Sequence, residues 1–310
     1  MEKTRLVFMG TPEFAVPSLL TLHEQCDILA VVTQPDKPAG RGRKLTAPPV
    51  KLAAQQLGLH VKQPLNLHQK DFIAWLQALH PDYIITCAYG KILPPVILTI
   101  PQKAALNIHA SLLPRHRGAA PIHRAIMAGD KESGITIMLM DEGMDTGDIV
   151  LCQAIPIHSN DTAGTLHDKL AELGADLIVK AIKQINEGTA RYQKQKECLA
   201  TYAEPLKSED ERINWCNSTE SIHNQVRGMN PWPGAYTELN GIRLKVWEGQ
   251  PSEGQGRPCG SVLAKSSAGL VVATGDGAYL ITKLQPQGKK IMSAAAFLRG
   301  HHISLGTVLG

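Results

Sequence analysis

Six near-continuous apolar runs divide the first half of the chain, and they narrow the possible folds more than any other feature. They read RLVFMG (5–10), DILAVVTQ (27–34), YIITCAYG (83–90), ALNIHAS (105–111), GITIMLM (134–140) and DIVLCQAIPI (148–157). Helical periodicity fills residues 51–58 and 67–80 between the earlier ones. Strands without polar alternation are covered on both faces, so the pattern predicts a mostly parallel sheet flanked by helices. Doubly wound sheets of this kind bind ligands beyond the carboxyl ends of their strands. The first strand runs into GTPEFAVPSLL, where Thr11-Pro12 reads as a helix start. That turn lacks G-x-G-x-x-G, which argues against a dinucleotide site.

Residues 159–188 carry Leu166, Leu170, Leu173, Leu177 and Ile178 on one helical face, with Gly188 as a stop. This helix closes a first domain over 1–189. Residues 190–206 are polar and aperiodic, and read as a linker. From Lys207 the grammar changes. After a helix at STESIHNQVRGM come AYTEL, IRLKVWEG, GSVLAK, GLVVATG and AYLITKLQ, punctuated by NG and GDG. Short strands at close turn spacing predict a small β-barrel or sandwich over 207–310.

Composition excludes several classes. At 43% hydrophobic and 19% charged residues the chain has a globular balance. No apolar run approaches the roughly 18 residues that span a bilayer, so no membrane partner is expected. The first strand begins by Arg5, leaving little room for a targeting peptide. The six cysteines are scattered without C-x-x-C spacing, so neither zinc nor a disulfide framework is expected. A cytoplasmic monomer without a metal fits these features. The formal charge of +4 permits an anionic partner without requiring one.

Three stretches can carry chemistry. In NIHASLLPRHRG (107–118), Asn107 and His109 share one side of a strand end, because residues i and i+2 do. An amide donates to an oxygen that is becoming negative, and an imidazole donates or moves a proton. Taken alone, such a pair more often serves packing. The loop MDEGMDTGDI (140–149) offers the carboxylate that a catalytic histidine needs, in Asp141, Asp145 or Asp148. The segment QPDKPAGRGRKLTAPP (34–49) reads as a long loop bearing Lys37, Arg41, Arg43 and Lys44, either solvated or reaching for phosphates.

NIHASLLPRHRGAAPI followed by DEGMDTGDI resembles the 10-formyltetrahydrofolate-dependent formyltransferases. FMGTPEFA, QPDKPAGRGRK, AYGKILP, NPWPGAY and VATGDG narrow the resemblance to the members that formylate methionyl-tRNA, across nearly the whole chain. The resemblance implies a Rossmann-like first domain, an OB-like second domain that binds tRNA, and a catalytic set of Asn107, His109 and Asp145. It implies that Ser111, Leu112, Leu113 and Pro114 lie against the folate. It further implies that Arg41, Arg43 and Lys44 contact the tRNA. One residue departs from the pattern: His116 stands where the family usually has Trp or Tyr.

The implied reaction moves a formyl group from 10-formyltetrahydrofolate to the α-amino group of initiator methionyl-tRNA. Asn107 and His109 would donate to the oxyanion while Asp145 orients His109, with no metal required. Two alternatives differ in class: a formyltransferase for an amino-sugar nucleotide, and a catalytically silent RNA-binding relative. The basic loop argues against the first and the complete Asn–His–Asp set against the second.

Overall fold

The six apolar runs, joined by a short strand at Val61–Lys62, pair into one seven-stranded sheet in the computed structural model, which describes residues 3–39, 44–254 and 258–310. The strands of the first part are β1 (Arg5–Gly10), β2 (Asp27–Val32), β3 (Lys37–Ala39), β4 (Lys44–Thr46), β5 (Val61–Lys62), β6 (Tyr83–Cys87) and β7 (Ala104–His109). They continue with β8 (Arg117–Gly118), β9 (Glu132–Leu139), β10 (Ile149–Pro156) and β11 (Tyr202–Ala203). The sheet order is β10-β9-β7-β6-β1-β2-β5. Pairings among β7, β6, β1, β2 and β5 are parallel, whereas β9 runs antiparallel to β7. The expected mostly parallel, doubly wound sheet is therefore present, with an antiparallel margin.

Helices α1 (Val16–Gln25), α2 (Pro49–Gln56), α3 (Lys70–Ala78) and α4 (Pro95–Leu98) follow the early strands, with α5 (Pro121–Met127) and α6 (Ala163–Asn186) later. Val7, Met9, Val32, Leu76, Ile84 and Ile97 are buried in one cluster. Burying each such side chain contributes about 1.5–3 kcal/mol. Two helix starts differ from expectation. Thr11 does not cap: its hydroxyl donates to the Tyr89 carbonyl at 2.9 Å, and a 3-10 turn at Glu13–Ala15 precedes α1. Helix α3 begins after the periodicity suggests, since the Asn66 side chain takes the His68 N–H at 2.9 Å in a local turn.

Nor is 34–49 wholly a loop. β3 and β4 form an antiparallel ladder, pairing Lys37 with Thr46 and Pro38 with Leu45. The chain divides into two compact units. The first holds residues 1–121, 132–155 and 167–204, so the polar stretch after α6 belongs to it, with β11 pairing parallel to β8.

The second unit holds residues 122–131, 156–166 and 205–310. It contains α7 (Ser208–Glu211), α8 (Thr219–Gly228), β12 (Tyr236–Leu239), β13 (Ile242–Ser252), β14 (Val262–Lys265), β15 (Leu270–Ala273), β16 (Ala278–Pro286), β17 (Met292–Ser293) and α9 (Ala294–Gly300). The antiparallel sheet runs β12-β13-β16-β15-β14, with β17 also on β16. Register shifts around Glu248 bend β13, as bulges do, and the sheet curls into a half-barrel around Trp215, Val246, Tyr279 and Phe297. The turn spacing predicts a small barrel or sandwich here, and the curled sheet agrees with the OB-like domain that the resemblance implies. Ser218 and Ser293 cap α8 and α9 by accepting backbone N–H groups.

Candidate active site

Strand β7 ends on Asn107, Ile108 and His109, and the pleat separates them as expected. Ile108 is buried in the sheet, while Asn107 is half-buried and His109 is 5% exposed. On the neighbouring strand Thr86 lies in register with Asn107. Its hydroxyl donates to Asn107 Oδ1 at 2.8 Å. Asn107 Nδ2 then faces Asp145 and donates to Oδ1 at 3.3 Å. This amide orientation is fixed by chemistry, because an ionised carboxylate can only accept.

His109 sits between two acceptors. Nε2 is 2.9 Å from the His116 carbonyl oxygen, and Nδ1 is 3.6 Å from Asp145 Oδ2. A carbonyl accepts only, so Nε2 carries the hydrogen and Nδ1 is the nitrogen turned to the carboxylate. The second contact is longer than a hydrogen bond, and it becomes a charge interaction when the ring carries both protons. His116, the departure from the family pattern, thus serves His109 through its backbone. Its side chain is buried, its φ is +57°, and its N–H donates to Thr201 Oγ1 at 2.9 Å.

Sequence composition left three acids open in the 140–149 loop. The carboxylate against His109 and Asn107 is that of Asp145. Asp141 instead closes its own turn, accepting from Gly143 N at 3.1 Å and Thr146 Oγ1 at 2.7 Å. Asp145 adopts φ +54°, a left-handed conformation that Asp tolerates better than most residues. The Gly118 N–H donates to its Oδ2 at 2.8 Å, from a φ of +110° that only glycine adopts readily. A Cβ at Gly147 would strike the Leu139 carbonyl, so this loop must run as bare backbone beside β9.

Ser111 to Pro114 follow directly. The Ser111 hydroxyl donates to the Arg115 carbonyl at 2.6 Å, and Thr136 Oγ1 bridges the Ser111 carbonyl and the Leu113 N–H at 2.7 and 3.1 Å. Leu113 packs with Met138 and Ile149. Leu112 and Pro114 are half-buried and present the accessible part of this turn. Lys44 is exposed on β4, while Arg41 and Arg43 lie outside the described residues. Among the described residues, no group of three or more His, Cys, Asp or Glu could hold a metal. A cavity lined by Lys3, Arg5, His23 and Asp27 opens at the starting ends of β1 and β2, so it is separate from this site.

Sequence reasoning missed Thr86, Gly118, Arg117 and Gln195. A hydroxyl inside the apolar run YIITC was the one available signal, for Thr86.

The family model described as "Formyl transferase" matches residues 4–182, and "Formyl transferase, C-terminal domain" matches residues 205–302. The chain belongs to the formyl transferase family. It is 52% identical to "Methionyl-tRNA formyltransferase" of Pelotomaculum thermopropionicum over 309 residues, covering 99% of this chain and 98% of the relative. Identity to the like-named protein of Moorella thermoacetica is 48%, covering 99% of each. Solved structures share the family's fold at lower identity. HypX from Aquifex aeolicus in complex with tetrahydrofolic acid matches with TM-score 0.64 and 18% identity, over 96% of this chain and 47% of that one. WlaRD, a sugar 3N-formyl transferase, matches with TM-score 0.65 and 20% identity, over 94% and 100%.

Proposed function

We propose that this chain transfers the formyl group of 10-formyltetrahydrofolate to the α-amino group of initiator methionyl-tRNA. The chemistry rests on one observation: Asn107 and His109 converge on Asp145 at the carboxyl end of β7. The acceptor rests on 52% identity along 99% of the chain to a relative of that name.

The attacking amine has a pKa near 8, so a neutral fraction exists without activation. Its nitrogen bonds to the formyl carbon, and the carbonyl oxygen becomes an oxyanion. An amide carries two N–H groups. Asn107 gives one to Asp145, and the second is directed to the oxyanion. His109 gives up the His116 carbonyl and turns its Nε2–H to the same oxygen. Asp145 balances the charge of the ring and holds both donors in place. The carbon–N10 bond then breaks, N10 takes a proton, and the amine loses one, with His109 or water as carrier. Leu112 and Pro114 supply apolar surface for the folate. Arg41, Arg43 and Lys44 supply phosphate contacts for the tRNA, and the curled second unit supplies further tRNA surface.

The same reading places a monomeric enzyme in the cytoplasm. No helix among the described residues is long and apolar enough to cross a membrane. Purified protein with 10-formyltetrahydrofolate is offered charged initiator tRNA or an amino-sugar nucleotide. Formyl-methionyl-tRNA is the expected product. Formylation of the sugar alone would establish the amino-sugar alternative, and no transfer to either would leave a silent binding protein.

A further inference from the structure

The stretch after α6 is polar and aperiodic, yet one side chain in it reaches the reaction site. Between Arg191 and Leu199 every residue is exposed except Gln195, which is half-buried. Its Nε2 donates to the backbone carbonyls of Asp145 and Gly147, each at 2.8 Å. Its Oε1 accepts from Arg117 Nε and Nη2 at 3.2 and 3.0 Å. Arg117 is 1% exposed, and its Nη1 meets both Glu197 oxygens at 3.1 and 2.9 Å. A buried guanidinium without partners is strongly unfavourable, so Arg117 fixes where Gln195 must be.

We propose that Gln195 is a positioning residue for formyl transfer, acting through Asp145, and that Arg117 holds Gln195 in place. The inference rests on the catalytic reading of Asp145. Asp145 is gripped from two directions. Gly118, beside Arg117 on β8, holds its carboxylate, while Gln195 holds its carbonyl and that of Gly147. The left-handed backbone that follows the Asp145 α-carbon is thereby held at two carbonyls while its side chain is held separately, which aims the carboxylate at His109 and Asn107. A carboxamide is required here, since it must give two N–H groups to carbonyls and take two from a guanidinium. Glutamate would keep the grip of Arg117 and place a negative oxygen against the two carbonyls.

The test compares Gln195→Glu in the wild-type and Asp145→Asn backgrounds, with melting temperature as a folding control. In the wild-type background kcat should fall about 10- to 100-fold, the scale of a misplaced catalytic group, with KM for both substrates nearly unchanged. In the Asp145→Asn background the same change should cost no more than about 2-fold, because the two residues act as one unit. Should Gln195→Glu fail to fold, Gln195→Met carries the same comparison. A wild-type kcat, or an equal loss in both backgrounds, would overturn the proposal while leaving the catalytic reading intact. A wild-type rate for Asp145→Asn itself would overturn both.

Discussion

Thr86 donates its hydroxyl to Asn107 Oδ1 at 2.8 Å, and this bond anchors the amide whose Nδ2 faces Asp145. Thr86 is buried, and the two residues are direct neighbours across β6 and β7. Replacing Thr86 by valine keeps the branched shape and removes the hydroxyl. The amide then loses its anchor, and kcat should fall about 10-fold, the worth of one net hydrogen bond. Serine should restore most of the rate. Steady-state kinetics of both variants check this, and a wild-type kcat for Thr86→Val would count against it.

The carboxyl of Asp36 is held below its ordinary range by the side-chain bond from Gln63, then by that from Lys51. Gln63 Nε2 lies 2.7 Å and Lys51 Nζ 2.8 Å from it, at the base of the β3–β4 ladder. A lowered folded value means that the stabilisation is present above the unfolded pKa and is lost as pH falls through the folded one. The ladder should thus stay protected at neutral pH and open only in acid, as pH falls below the ordinary carboxylate range. Asp36→Asn should weaken that protection at neutral pH and raise KM for tRNA while leaving KM for folate unchanged. Amide protection factors at Lys44–Thr46 across the acid range, with both KM values, check it.

The basic stretch Arg41 to Lys44 is expected to separate a tRNA acceptor from a small nucleotide. Changing Arg41, Arg43 and Lys44 together to alanine should weaken tRNA binding and flatten its log–log salt dependence by roughly 2–3, near 0.9 per lost phosphate contact. Arg41→Ala is expected to have the largest single effect, as Arg41 lies between the glycines of AGRGRK. A salt titration of tRNA binding, with folate binding as control, measures this. An unaltered slope would count against phosphate contacts by these residues.

Periodicity carried the architecture well because a sheet buried on both faces writes its strands as apolar runs. The curled second unit was legible from its turns. Periodicity could not choose among Asp141, Asp145 and Asp148, since all three sit in one glycine-rich loop, and Asp145 is told from Asp141 by its backbone and by what its oxygens meet. Nor could it reveal Gln195. A side chain that acts through two backbone carbonyls leaves no pattern in a polar segment, and its partner Arg117 reads as an ordinary surface cation until its burial is seen. The 34–49 ladder was hidden by prolines and glycines, which disguise short strands.

The most direct test of the catalytic account is the single-turnover rate of formyl transfer in Asn107→Ala, His109→Ala and Asp145→Asn, with tRNA and folate affinities measured alongside. Asn107 is half-buried, so its truncation should be well tolerated, whereas His109 is 5% exposed and its loss should lower the melting temperature. The account predicts that each folded variant binds both substrates normally and loses roughly 10²–10³-fold in the chemical step, the scale of one oxyanion donor or its orienting carboxylate. A folded variant of any of the three that transfers formyl at the wild-type rate would contradict it.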